Sequence, residues 1–77
     1  MRHELKILPQ YFDAVYRNAK PFEVRKNDRN FAVGDELVLN EWEPESGYTG
    51  SKLLRKVSYI LDDSQYLQEG YVVLGLN

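Results

Sequence analysis

The sequence predicts a single mainly β (α+β) domain with one short helix. Several stretches alternate polar and apolar residues, one stretch has helical spacing, and glycine, proline or asparagine separates them. Because a chain of 77 residues can build only one core, residues 1–77 are expected to form one domain. A flat sheet this small would expose an apolar face, so we expect a mixed barrel of about five to six strands with the helix at one end.

A strand and a helix are the first expected elements. Polar and apolar residues alternate over residues 4–8, which predicts a strand with Leu5 and Ile7 facing inward. Pro9 suits the first turn of a helix, and Asn18 tolerates the left-handed conformation that ends one. The apolar residues around this stretch recur at helical spacing and predict an amphipathic helix: Phe12, Val15, Tyr16 and Ala19.

The rest of the chain predicts further strands joined by turns. They are expected over residues 22–25, 36–42, 51–61 and 71–76. Gly34 indicates a tight turn, and residues 44–50 indicate a loop or a wide hairpin connection. The adjacent Leu53 and Leu54 blur the pattern of the long strand, which suggests a bulge or a strand that is buried partly on both faces. Residues 62–69 have no clear period and are expected to form a helical turn or a mobile loop.

Composition argues against several classes of site. The chain has no cysteine and only one histidine, so neither a disulfide nor a metal centre nor another cofactor is expected. His3 has no obvious partner and is expected to be exposed or at a strand end. The longest apolar run falls far short of the roughly 20 residues that span a bilayer, and no signal peptide is evident. We therefore expect a cytoplasmic monomer that does not contact membranes.

The charges are unevenly distributed along the chain. Five of the ten basic residues lie between Arg17 and Arg29, whereas residues 35–45 carry only acidic charges. This pattern predicts a positive and a negative side of the molecule, although uneven charge is also common on solvated surfaces. The net charge of -2 argues against duplex DNA as a partner, since proteins that coat DNA depend on a cationic surface.

Several segments carry a resemblance to a known family. They are KPFEVRKNDR at residues 20–29, VGD at 33–35, YTG at 48–50 and GYVVLG at 70–75. Together they resemble the ASCH domains, relatives of the PUA-like barrels, and in particular a small bacterial and phage subgroup of unknown function. The resemblance covers nearly the whole chain. It implies a PUA-like fold that binds RNA or a modified nucleoside in a cleft beside the helix.

Three residues are the main candidates for that site: Lys20, Glu23 and Arg25. Glu23 and Arg25 are two apart on a strand and project from one face, with Lys20 at the strand entrance. Arg25 would bind a phosphate or a carbonyl edge, and Lys20 would supply a point charge. Glu23 would accept a base N–H or orient the arginine. The alternative is a structural ion pair at the rim of the barrel.

Further candidates surround this set. Lys26 and Arg29 lie on the loop expected after the second strand, where they would meet phosphates or simply be solvated. Tyr48 lies in a glycine-flanked loop and would stack on an unpaired base. Trp42 offers the same chemistry. Both aromatic residues are equally well explained by packing.

Two other functions remain open at this point. Some ASCH relatives are amidohydrolases of N4-acylated cytidines that use a lysine and, three residues later, a threonine nucleophile. Lys20 matches that lysine, but Glu23 stands at the position of the threonine, so hydrolysis here would need Glu23 as a general base. The third possibility is a protein-interaction module of phage or mobile-element origin that uses the acidic residues 35–45.

Overall fold

A computed structural model describes residues 1–77. The chain forms β1 (Arg2–Ile7), α1 (Pro9–Tyr16), β2 (Phe22–Lys26), β3 (Glu36–Glu43), β4 (Gly47–Leu61) and β5 (Tyr71–Leu76). The predicted class, mainly β with one short helix after the first strand, is confirmed.

The five strands form one sheet in the order β1-β3-β4-β5-β2. β1 runs parallel to β3, and the other pairs are antiparallel. β1 and β2 are therefore the two edges, and no backbone ladder joins them, so the predicted closed barrel is not confirmed. Arginine side chains bridge the gap instead: Arg25 of β2 donates to the Lys6 carbonyl, and Arg29, in the loop after β2, donates to the Glu4 carbonyl at 3.1 Å. Because one edge reaches the other, the sheet must be strongly curled.

The long strand β4 connects the two halves of this curled sheet. It pairs first with β3 and then with β5. The register shifts between Val57 and Tyr59, which leaves Ser58 as the extra residue of a bulge. Leu53 and Leu54 themselves pair regularly with β3, so the bulge in the long strand lies further along the chain than these two residues.

β4 also begins earlier than the sequence indicated. The chain turns over residues 44–46 and is already extended at Gly47. Tyr48 pairs with Trp42 of β3, so it lies in a strand and not in the predicted loop. Gly47 and Gly50 interrupt the alternation of polar and apolar residues that indicates a strand, but both lie within β4.

The core fills the concave side of the curled sheet. Alternate positions of the strands supply most of it, and the predicted inward positions in β1 are confirmed. The buried apolar residues are Leu5, Ile7, Val15, Phe31, Leu37, Leu39, Val57, Val72, Leu74 and Leu76.

Helix α1 contributes less to this core than its spacing predicted. Val15 is buried and Phe12 packs against the core, but Tyr16 is largely exposed. Asn18 has a φ of 60°, so the predicted left-handed residue after the helix is confirmed. Ala19 therefore lies beyond the helix. No helix in the chain is long and apolar enough to cross a membrane.

Candidate functional site: a cleft between the edge strands

Strand β2 turns its charged face toward the interior. Glu23 is only 4% exposed, whereas Val24 is 53% exposed. The pairing with β5 sets this orientation, because Glu23 lies opposite the buried Leu74. Arg25 lies on the same face and is half-buried. The prediction that Glu23 and Arg25 share a face is confirmed, and that face is the inner one.

Lys20, Glu23 and Arg25 form a compact charged triad. Lys20 Nζ donates to Glu23 Oε1 at 2.7 Å, and Arg25 Nε donates to Glu23 Oε2 at 2.9 Å. Lys20 Nζ also donates to the Phe22 carbonyl at 2.9 Å, and Arg25 Nη2 lies 2.8 Å from Glu23 Oε2. Two cations thus offset the cost of burying one carboxylate. The triad keeps one positive charge in excess.

The triad opens onto a cleft of about 460 Å³. This volume lies within the range of roughly 300–1,000 Å³ that is typical of small-molecule sites. Half of the lining residues are hydrophobic. The lining residues come from the end of β1, the start of α1 with the residue before it, and β2 with the segment that leads into it: Lys6, Ile7, Leu8, Tyr11, Lys20, Glu23, Val24 and Arg25. The cleft therefore occupies the end of the seam between the two edge strands, beside the helix.

Two aromatic rings contact the lysine of the triad. Lys20 Nζ lies 5.3 Å from the centre of the Tyr11 ring and 5.0 Å from the centre of the Phe22 ring. These cation–π contacts hold the ammonium group at the mouth of the cleft. Tyr11 was not among the residues that the sequence singled out. The sequence could have indicated Tyr11, because it is next to the core residue Phe12 and lies off the apolar stripe of the helix.

The other predicted site residues do not all join this cleft. Arg29 lies further along the same seam, where it donates to the Glu4 carbonyl. Lys26 is the exposed last residue of β2 and points away from the interior. Tyr48 is exposed and lines a separate hollow of about 320 Å³ with residues of β1, β3 and β4. Trp42 is half-buried beneath Lys6, whose Nζ lies 4.4 Å from the ring centre.

A buried histidine–aspartate pair lies outside the cleft. His3 and Asp35 are both buried, and His3 Nε2 lies 2.8 Å from Asp35 Oδ2. The Ala32 amide donates to the same oxygen at 3.0 Å, and the His3 ring packs edge-on against Phe31 at 4.8 Å. His3 is therefore not exposed, which was the first of the two expected positions. It does lie at a strand end, as the second residue of β1. His3 is two residues before Leu5 in β1, so its side chain lies on the same inward face. This alternation would have predicted that His3 is buried.

Asp35 consequently does not belong to the predicted acidic surface. The hydrogen bond from His3, followed by that from the Ala32 amide, lowers the pKa of Asp35 from 3.8 to about 2. Because the folded-state pKa lies below the unfolded value, ionised Asp35 stabilises the fold above pH 3.8, and this contribution is lost as the pH falls toward about 2.

The Asp35→Asn variant is expected to lack this component of acid unfolding. Its free energy of unfolding should change less with pH than that of the wild type between pH 3.8 and about 2. Urea unfolding at a series of pH values measures the effect. Asp62→Asn, a change at an exposed carboxylate, is the control and should follow the wild-type profile. Parallel profiles for Asp35→Asn and the wild type would contradict the prediction.

Comparison with known proteins places the chain in a family. The family described as "Domain of unknown function (DUF3850)" matches residues 2–76. The chain belongs to the DUF3850 family. The match spans the whole cleft of this DUF3850 domain, including the triad.

One relative of this DUF3850 domain is a protein of Escherichia phage P2 described as "Uncharacterized 12.9 kDa protein in GpA 3'region". The two are 40% identical over 72 residues, which cover 94% of this chain. The aligned part is 64% of the relative, so the chain spans less than two thirds of the length of that phage protein.

Proposed function

We propose that this DUF3850 domain binds RNA, or a modified nucleoside, in the cleft between β1 and β2. We also propose that its curled sheet is a PUA-like barrel of the ASCH type, in which arginine side chains take the place of the closing ladder between the edge strands. The observation that carries the functional proposal is the excess positive charge of a buried triad that faces an open, half-apolar cleft.

The cleft offers both kinds of contact that a nucleotide requires. Arg25 uses Nε and Nη2 within the protein, while its Nη1 group has no protein acceptor and is not sealed from solvent. Such a fixed guanidinium suits a phosphate or a base carbonyl. Tyr11 and Ile7 supply aromatic and apolar surface for the base. The positive excess favours an acceptor-rich or anionic ligand.

Glu23 has a positioning role in this proposal. Both of its carboxylate oxygens already accept hydrogen bonds from cations, and its side chain is only 5% exposed, so its main contacts are within the protein. The carboxylate instead holds Lys20 and Arg25 in place. The same engagement removes support from Glu23 as a general base, and no observation favours the amidohydrolase function. Asp35 is buried, so it cannot belong to the acidic surface that a protein-interaction module would use.

A binding experiment with matched arginine variants tests the proposal. Fluorescence anisotropy with short labelled single-stranded RNAs, and calorimetry with free and modified nucleosides, compare the wild type with Arg25→Ala. Hydrogen bonds to charged groups are worth about 1.5–3 kcal/mol, so affinity should fall about tenfold or more. Arg2→Ala is the control, because it removes an exposed arginine that pairs with Glu36 outside the cleft.

The two variants are expected to differ clearly. Arg2→Ala should stay within about twofold of the wild type, since an isolated surface ion pair contributes little. Circular dichroism checks that Arg25→Ala is folded. Equal affinities for the wild type and Arg25→Ala would overturn the proposed site, as would the absence of binding of the wild type to every RNA and nucleoside.

A further inference from the structure

The outer face of the sheet carries a second feature beside the cleft. Gly75 of β5 pairs with Phe22 of β2 on one side and with Tyr59 of β4 on the other. Phe22 and Tyr59 are both exposed, and Tyr59 is 65% exposed. Two aromatic side chains therefore stand on either side of a position that has no side chain. We call this arrangement the aromatic slot, formed by Phe22, Gly75 and Tyr59.

Gly75 differs from the other glycines of the chain. The other four adopt φ values between 85° and 95°, which favour glycine for backbone reasons, and each has open space where a Cβ would lie. Gly75 lies within β5, one residue before its end, and does not have such a φ. A Cβ there would lie 3.1 Å from Ser58 Oγ and 3.4 Å from Tyr59 Cβ. Glycine at this position keeps the floor of the slot clear.

The spacing of the strands leaves room for one planar ring between the two aromatic residues. Phe22 and Tyr59 lie on strands that are separated by β5, so their backbones are about 9.6 Å apart. Aromatic rings in contact have centroids roughly 4.5–7 Å apart. A flat heterocycle that lies over Gly75 would therefore be within reach of both side chains. The Ser58 hydroxyl beside the floor offers it a hydrogen-bonding partner.

The charges around the slot are suited to phosphate. Lys26 points outward from β2 like Phe22, and Lys56 points outward from β4 next to the buried Val57. Lys20 Nζ lies 5.0 Å from the Phe22 ring and also belongs to the triad. Lys56 pairs with Asn77, two residues beyond Gly75, while Lys26 lies four residues along β2 from Phe22. Lys20 therefore lies between the slot and the cleft. A chain of linked nucleotides has the phosphates that match these cations.

We propose that the aromatic slot holds the base of a nucleotide next to the one in the cleft, with Lys20 at the phosphate that links them. This inference rests on the proposed function of the cleft. It makes the ligand a single-stranded RNA segment and not a free nucleoside, because only a strand can occupy the cleft and the slot together. Duplexes are excluded as ligands, since their bases are stacked on one another and cannot enter the slot.

Tyr59→Ala and Gly75→Val test the slot, the first by removing a wall and the second by filling the floor. Stacking of a base on an aromatic side chain is worth about 1–3 kcal/mol, so each variant should bind a labelled RNA tetranucleotide about 5- to 150-fold more weakly. Binding of a mononucleotide should not change. Tyr66→Ala removes a tyrosine that is 75% exposed outside the slot, and should bind both ligands like the wild type.

The outcomes separate the slot from the cleft. If Tyr59→Ala binds the tetranucleotide like the wild type while Arg25→Ala binds it weakly, the slot is overturned and the cleft stands. If Arg25→Ala has no effect on either ligand, the cleft itself is overturned. A wild type that binds the mononucleotide as tightly as the tetranucleotide also overturns the slot. So does a homodimer in sedimentation that Tyr59→Ala dissociates, because the face would then belong to a second copy.

Discussion

Replacing Lys20 and Arg25 together by methionine is expected to destabilise the fold by about 3–5 kcal/mol, the usual cost of leaving a buried charge without a partner. Glu23 is almost fully buried, and these two side chains are the cations that it contacts. Each single variant should lose less, because one cation remains. Urea denaturation followed by circular dichroism measures the loss.

A third substitution identifies the cause of this loss. Adding Glu23→Gln to the double variant removes the uncompensated charge and should restore most of the stability, since a neutral amide is far less costly to bury. The opposite result, a triple variant as unstable as the double, would show that the aliphatic stems of Lys20 and Arg25 stabilise the site by packing. The triad would then be a packing element of the seam.

Leu74→Ala is expected to destabilise the protein by about 2–5 kcal/mol, the range for removing a fully buried leucine side chain. Leu74 is completely buried in β5, where it pairs with Glu23 on one side and Ile60 on the other. For a domain of this size, each kcal/mol lowers the melting temperature by roughly 4–8 °C. Thermal unfolding therefore measures the effect readily.

The matched control for this substitution is Leu54→Ala. Leu54 is more than half exposed on β4, so its removal should change stability by no more than about 0.5 kcal/mol. If both leucine variants lose a similar amount of free energy of unfolding, Leu74 is not the core residue described above, and the prediction is contradicted. Because Leu74 lies opposite Glu23, its loss should also loosen the triad. In the proposed function, the folded Leu74→Ala protein should then bind RNA more weakly than the wild type.

The charged triad has a structural role in the fold and, in the proposed function, a binding role that the sequence presented as its alternative. Seen from the sequence, Glu23 and Arg25 were either a structural ion pair at a rim or part of a ligand site. In the structure the carboxylate is buried and paired, which is the structural role, while the cations line an open cleft. A buried anion that positions partly exposed cations reduces the loss of side-chain freedom on binding.

Local sequence patterns determined the elements of this protein. Alternation in β1 predicted the inward positions of Leu5 and Ile7, and Asn18 marked the end of the helical segment. The shared face of Glu23 and Arg25 also followed from the sequence alone. These features depend on the backbone periods of strands and helices, which involve residues close together in the chain.

Only the tertiary structure decided which faces and edges meet. Periodicity could not tell that β2 turns Glu23 inward, that His3 and Asp35 pair in the interior, or that β1 and β2 stay unpaired around a cleft. Each of these depends on strand order and on the curl of the sheet, which bring together residues far apart in sequence. The physical reason is that a period specifies two faces of a strand, but the neighbours packed against each face determine which one is buried.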